Sequence, residues 1–207
     1  MESSLSLANL ITLGRLLLTP FVVYCLLTAS YGWAFTAFVI AGLTDAVDGY
    51  IAKRWHQTTE LGAYLDPLAD KTLLVSIFVV LGYLGQRDPA TAPIPVWLVV
   101  AAVSRDLLII GAMLLSWMLD RPMRVAPPLV SKANTASQIA LAALALAQLG
   151  LGLDAGLLLP VLVALTAALT FASGAVYLVA WIRHMQQPRA AAPPGRVGAK
   201  RNGERVG

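Results

Sequence analysis

Residues 44–71 read TDAVDGYIAKRWHQTTELGAYLDPLADK and place four aspartates between two apolar segments. The first pair, Asp45 and Asp48, is spaced i, i+3, and the second pair, Asp66 and Asp70, is spaced i, i+4. On helices, each of these spacings puts both carboxylates of a pair on one face. Carboxylates are costly in a bilayer and are tolerated mainly where they face a cavity, a partner charge or a metal. The stretch therefore indicates a polar site within a membrane-embedded helical hairpin.

Two explanations of the acidic cluster are open at this point. Lys53, Arg54 and Lys71 are close in sequence and can neutralise part of its charge through ion pairs. Alternatively, four carboxylates that converge beside Gly49 and Gly62 match the oxygen ligands that hard divalent cations require. We favour a site for Mg²⁺ or Mn²⁺, because these ions are often held by a few carboxylates together with substrate phosphates.

The composition is that of an all-α integral membrane protein with one compact domain. Of the 207 residues, 58% are hydrophobic and 13% are charged, whereas a soluble domain has about 25% charged residues. The net charge of +4 comes from basic residues at segment ends, which fits membrane topology and anionic lipid better than nucleic acid. The single cysteine, Cys25, excludes a disulfide framework and a cysteine-based metal site.

Six apolar segments, each near the roughly 20 residues that a bilayer requires, predict six transmembrane helices. The predicted helices cover about residues 7–28, 33–53, 63–85, 96–119, 131–151 and 156–182. Gly62 and Pro67 are expected to open the third helix, where a proline is tolerated because its missing N–H would be unpaired there. We expect a catalytic domain over 1–185 and a disordered, basic cytoplasmic tail over 186–207.

The basic residues predict the orientation in the membrane. Of 15 lysines and arginines, only Arg87 lies in the connections 29–32, 86–95 or 152–155. By the positive-inside rule, both termini and the aspartate hairpin face the cytoplasm. An Arg- and Ser-rich transit segment does not precede the first helix, so we expect a bacterial inner membrane rather than a mitochondrial one.

Polar residues on the other helices are candidates for the same cavity. Asn9 and Arg15 share one face of the first helix, and Lys132 heads the fifth. Arg105 lies in the middle of the fourth helix, where an arginine is a functional candidate by default. It can also form ion pairs with the adjacent aspartate and other helices. Lys53, Arg105 and Lys132 are the residues that we expect to hold an anionic headgroup or phosphate.

Written as a pattern, the hairpin that starts at Asp45 is D-x-x-D-G-x-x-A-K-x8-G-x3-D-x3-D. It resembles the signature of the CDP-alcohol phosphatidyltransferases, D-x-x-D-G-x-x-A-R-x8-G-x3-D-x3-D, with the same spacing throughout. The one departure is Lys53 in place of arginine, and these two side chains are not equivalent phosphate ligands. The resemblance implies a fold of six transmembrane helices, a cytosolic-side cavity and a homodimer.

The resemblance also implies roles for the matched residues. The site would hold two divalent ions, and the aspartates implied to bind them are Asp45, Asp48, Asp66 and Asp70. Asp70 matches the family's proposed general base. The positions that match those around the cytidine diphosphate are Gly49, Ala52, Lys53 and Gly62. The implied reaction is attack of an alcohol on the lipid-linked phosphorus of CDP-diacylglycerol, with release of CMP.

The acceptor alcohol depends on sequence outside the hairpin. NLITLGR at 9–15, SRDLLI at 104–109 and SKANTASQ at 131–138 are most similar to the eukaryotic-type cardiolipin synthases, which transfer phosphatidyl to phosphatidylglycerol. Phosphatidylglycerophosphate synthases, which use glycerol 3-phosphate, share much of this sequence and are the alternative to a cardiolipin synthase. A membrane ion or lipid transporter is a third reading, but such proteins commonly carry inverted repeats, and this chain shows no internal repeat.

Overall fold

The computed structural model describes residues 7–55, 60–87, 93–119 and 129–186, with side chains described in 16–44, 71–86, 93–119 and 129–186. Within these parts the chain is entirely helical. The helices are α1 (Leu7–Leu27), α2 (Tyr31–Trp55), α3 (Glu60–Arg87), α4 (Val96–Met118), α5 (Leu129–Leu151) and α6 (Leu158–Gln186). The predicted all-α architecture of six helices is confirmed. The predicted tail beyond Gln186 lies outside the described residues.

The start of α3 corrects one prediction. The helix begins at Glu60, so Pro67 is its eighth residue and does not lie in its first turn. Glu60 is favourable at this end because a negative side chain complements the positive end of the helix dipole. Pro67 therefore lies inside the helix, where proline removes one backbone hydrogen bond.

Three helices are long and apolar enough to cross a membrane by length and composition among the described residues, namely α4, α5 and α6. The first three helices contribute shorter apolar segments, which are Leu16–Leu27, Tyr31–Thr44 and Lys71–Gln86. In the sequence, the aspartates lie outside these segments, in residues 45–55 of α2 and 60–70 of α3. We call these two stretches the charged halves of α2 and α3.

The aliphatic core joins all six helices. Helix α1 packs on α2 and α3, α5 packs on α2 and α6, and α4 packs on α3 and α6. The largest fully buried apolar side chains are Val22, Leu26, Ile77, Leu81, Ile94, Leu98, Leu141 and Leu146. Buried alanines such as Ala34 and Ala145 let neighbouring backbones approach closely, as is common between membrane helices. Among the described side chains, part of this core, including Leu26 and Leu146, lies at the end of the bundle where α1 turns into α2.

The turn between α1 and α2 is short and tightly hydrogen-bonded. The Ser30 N–H donates to the Cys25 carbonyl at 2.8 Å, and the Ala29 N–H donates to the Leu26 carbonyl at 3.3 Å. This pair of bonds is a Schellman motif, which requires a left-handed residue and usually uses glycine. Here the residue is Ala29, with φ of 57°. The turn therefore holds an alanine in a conformation that favours glycine.

Candidate functional site

Arg105 is the centre of a buried polar network that joins three helices. Its side chain projects from the middle of α4, and the residue is only 7% exposed. The guanidinium donates from Nη2 to Ser131 Oγ on α5 at 2.6 Å and from Nε to Ser173 Oγ on α6 at 3.0 Å. Its Cζ also lies 5.5 Å from the centre of the Tyr177 ring. A buried charge is stable only where it is paired and hydrogen-bonded, and these contacts meet that requirement.

Three residues of α6 contact or face this arginine. Ser173 and Tyr177 are four residues apart and therefore lie on one face of the helix. Gly174 faces the arginine stem, since a Cβ at this glycine would lie in ordinary van der Waals contact with Arg105 Cγ, at 3.6 Å. The sequence of α6 thus offers a hydroxyl, a small residue and an aromatic ring where the arginine crosses it.

Asp106 connects this network to the aspartate-bearing helix α3. One carboxylate oxygen, Oδ1, accepts a hydrogen bond from Arg105 Nη1 at 2.7 Å, and the other, Oδ2, lies 2.6 Å from Lys71 Nζ. Lys71 directly follows Asp70 in the sequence. The side chain of Asp106 is 13% exposed, whereas that of Lys71 is 45% exposed. The network therefore runs from the buried Arg105 to the accessible Lys71, which follows the predicted general base, Asp70, in the sequence.

A cavity of about 130 Å³ lies beside this ion pair, between α2, α3, α4 and α5. Its polar lining consists of Lys71, Asp106, Thr135 and Gln138. The rest of the lining is Phe38, Ala41, Gly42, Leu73, Leu74, Val75 and Ile139. Such a cavity, mostly apolar with a few convergent polar groups, is the usual form of a small-molecule or lipid-headgroup site.

Gln138 provides a second polar group at this cavity. The residue is 6% exposed, and its Nε2 is buried without a hydrogen-bond partner in the described part of the chain. One turn earlier, Asn134 Oδ1 accepts a hydrogen bond from Thr170 Oγ1 at 2.8 Å. Leaving a buried amide N–H unpaired costs about 1–3 kcal/mol. Gln138 therefore lines the cavity with an amide N–H that no described protein group accepts.

The structure places the predicted site residues unevenly. Arg105 lies in the network described above, where protein groups already engage its guanidinium. Lys132 is exposed in the first turn of α5 and shares a helical face with Thr135 and Ile139, which line the cavity. Their predicted contact with phosphate stays a prediction.

The remaining predicted residues lie on described helices, but their side chains fall outside the described residues. Asn9 and Arg15 belong to α1. The charged halves of α2 and α3 contain Asp45, Asp48, Gly49, Ala52, Lys53, Gly62, Asp66 and Asp70. The backbone at these positions is helical, and the roles predicted for these residues stay predictions.

Sequence reasoning allowed Arg105 and Asp106 to pair with other helices, but it did not identify Lys71 or Ser173 as their partners, and it considered Lys71 only as a neutralising charge for the aspartate cluster. The signal for Asp106 was its position in an apolar helix, where an intramembrane carboxylate is rare. The signal for Ser173 was weak, because small hydroxyl residues are common in membrane helices for packing alone. The pairing of Lys71 with Asp106 crosses two helices and has no local sequence signature.

The hairpin pattern, the helical bundle and the polar cavity define a class of membrane transferase. The chain belongs to the CDP-alcohol phosphatidyltransferase family, whose family model matches residues 5–182. Members of this family use divalent metal ions. The four aspartates of α2 and α3 offer carboxylate oxygens, the donor type that hard divalent ions prefer, and their role as metal ligands stays a prediction.

Among its relatives, the chain is similar to two animal enzymes and one bacterial enzyme. It is 31% identical over 161 residues to a probable cardiolipin synthase (CMP-forming) of Drosophila melanogaster, covering 70% of this chain and 48% of that protein. It is 32% identical over 192 residues to a cardiolipin synthase (CMP-forming) of Homo sapiens, covering 85% and 62%. It is 37% identical over 94 residues to a CDP-diacylglycerol–glycerol-3-phosphate 3-phosphatidyltransferase of Cereibacter sphaeroides, covering 43% and 42%. The chain thus spans about half the length of the Drosophila relative.

Proposed function

We propose that the protein is a cardiolipin synthase that transfers phosphatidyl from CDP-diacylglycerol to phosphatidylglycerol and releases CMP. The observation that carries the choice of acceptor is the lining of the cavity beside Lys71, which is mostly apolar with a few polar residues. A lipid acceptor brings apolar surface and one phosphodiester charge, which match this lining. The similarity to the Drosophila and human cardiolipin synthases supports the same choice.

In this proposal, the residues that hold the metal ions are Asp45, Asp48, Asp66 and Asp70. The ions are Mg²⁺ or Mn²⁺, two per site, and they supply charge stabilisation at phosphorus when bound. Gly49, Ala52, Lys53 and Gly62 surround the cytidine diphosphate. Small residues at three of these positions allow the nucleotide to approach the helices closely, and Lys53 offers charge to its phosphates.

The reaction is a direct displacement at the lipid-linked phosphorus. The free glycerol hydroxyl of phosphatidylglycerol loses its proton to the Asp70 carboxylate as its oxygen bonds to that phosphorus. The bond from phosphorus to the CMP oxygen breaks, and CMP leaves with the bonding electrons. The helical bundle contributes by holding both lipids in position, since orientation of two reactants accounts for much of such a rate enhancement.

A phosphatidylglycerophosphate synthase is the second candidate. The similarity to the Cereibacter sphaeroides enzyme and the exposed Lys132 near the cavity favour it. In that case Lys132, together with Asn9 and Arg15 from α1, would hold the soluble glycerol 3-phosphate. Under either reading, the acceptor reaches the cavity from the cytoplasmic side of a bacterial inner membrane, and we expect a homodimer.

An acceptor assay on the purified full-length protein in detergent decides between the two candidates. The protein receives CDP-diacylglycerol and Mg²⁺ or Mn²⁺, with phosphatidylglycerol or glycerol 3-phosphate offered separately, and both CMP and lipid product are measured. We expect cardiolipin from phosphatidylglycerol, and the Asp70→Asn variant serves as the inactive control. Product formed only from glycerol 3-phosphate would overturn the proposed acceptor in favour of the second candidate.

A further inference from the structure

The described part of this network contains two cations, and only one of them is accessible. The Arg105 guanidinium is buried and already donates to Asp106, Ser131 and Ser173. Lys71 Nζ has one described partner, Asp106, and the side chain is 45% exposed at the cavity. An ammonium group has three donors, so up to two remain for a ligand while the ion pair with Asp106 persists.

The charge of the network matches that of one phosphodiester. Among the residues whose side chains the structure describes, Arg105 and Lys71 contribute two positive charges and Asp106 one negative charge, so these three groups together carry a net charge of +1. A phosphodiester of a phospholipid carries a single negative charge. Arg105 balances the negative charge of Asp106, so the remaining positive charge is that of the accessible Lys71.

We propose that the cavity is a subsite for the phosphodiester of the anionic lipid acceptor, with Lys71 and Gln138 as its ligands. Lys71 Nζ binds a nonbridging phosphate oxygen, and the unpaired Nε2 of Gln138 donates a second hydrogen bond. Arg105 and Asp106 are positioning residues, since they act on the phosphate only by holding Lys71 at the cavity. This inference rests on the proposed function, because it takes phosphatidylglycerol as the acceptor.

The test is steady-state kinetics of the full-length protein in mixed micelles, with the KM for phosphatidylglycerol and the KM for CDP-diacylglycerol measured separately. We expect Lys71→Gln to raise the KM for phosphatidylglycerol by roughly tenfold to a hundredfold, the range of a charge-assisted hydrogen bond. The KM for CDP-diacylglycerol should change less than about twofold. Lys71→Arg, which keeps the charge, should recover most of the loss. Gln138→Leu should raise the same KM by roughly threefold to tenfold.

A double-mutant cycle tests the positioning role of Asp106. Asp106→Asn should raise the KM for phosphatidylglycerol in the wild-type background but have no further effect in the Lys71→Gln background, because Asp106 acts through Lys71. Arg183→Gln is the matched control. It removes one positive charge from an exposed residue in the last turn of α6, which does not line the cavity, and should leave both KM values unchanged.

The outcomes separate this inference from the proposed function. If the wild-type protein makes cardiolipin but Lys71→Gln leaves the KM for phosphatidylglycerol unchanged, or raises both KM values equally, the subsite is overturned and the function stands. A Lys71→Arg variant as impaired as Lys71→Gln also contradicts the role of charge. If the wild-type protein makes no cardiolipin, the proposed function fails first. Lys71 is nearly half-exposed, and unchanged thermal unfolding of its variants confirms that the kinetics report on binding.

Discussion

At the end of the bundle where α1 turns into α2, the helices meet through backbone and aliphatic side chains, whereas around Arg105 they meet through charged and hydroxyl side chains. A Cβ added to Gly150 of α5 would lie 2.8 Å from the Tyr31 carbonyl oxygen, so the two backbones approach closely at this point. Beside Arg105, by contrast, the side chains enclose a cavity and leave the Gln138 amide unpaired.

This difference assigns different tasks to the two regions. The close contact at Gly150 and the aliphatic core determine how the helices are arranged. Neither contains a group that the proposed reaction uses. The polar region contains a buried charge, which is expensive unless a specific set of partners is present. We therefore expect substitutions in the polar region to affect activity first and substitutions at the other end to affect stability alone.

The largest expected effect is on catalysis. Asp70→Asn removes the proposed general base but keeps the size of the side chain, and we expect turnover to fall by about a hundredfold to ten-thousandfold. The thermal unfolding of the variant should match that of the wild type, which a scan in detergent will measure. Turnover at the wild-type rate would contradict the assignment of Asp70 as the base.

Arg105→Met should affect both properties, because the arginine belongs to the fold and to the network. Losing one partner of a buried charge pair costs about 3–5 kcal/mol, so we expect a clear decrease in Tm together with a raised KM for phosphatidylglycerol. Arg183→Met, at an exposed position in the last turn of α6, is the control and should change neither. An unchanged Tm for Arg105→Met would mean that the network contributes nothing to holding α4, α5 and α6 together.

The sequence predicted the helices well because apolar length is a local property. The helix ends differ from the predicted ones by a few residues, and the largest misreading concerned Pro67, where Glu60 allows the helix to start earlier. The candidate site was predicted only in part. The fixed spacings of the hairpin identified the aspartates, but the Lys71–Asp106 pair depends on how α3 and α4 pack, which no spacing within one helix reveals.

Gly150→Ala tests the close contact at the other end of the bundle. The added methyl group meets the backbone of Tyr31 and Gly32, which cannot rotate away as a side chain can. Overpacking of this kind costs about 1–3 kcal/mol, so we expect a lower Tm with an unchanged KM for both lipids. The matched control is Gly111→Ala in α4, where a Cβ would meet nothing within 4 Å. Equal Tm values for the two variants would show that the contact at Gly150 is looser than the structure indicates.

The smallest expected effect is a gain in stability at the turn that begins α2. Ala29→Gly removes the penalty of a left-handed alanine but adds freedom to the unfolded chain, so we expect a net gain of about 0.5–1 kcal/mol. The control is Ala140→Gly at an exposed position in the interior of α5, where the same replacement should cost about 1 kcal/mol. Opposite shifts in Tm for one and the same substitution would isolate the backbone conformation as the cause. Because Ala29 lies far along α1 and α2 from the polar network, the gain should come without any change in turnover.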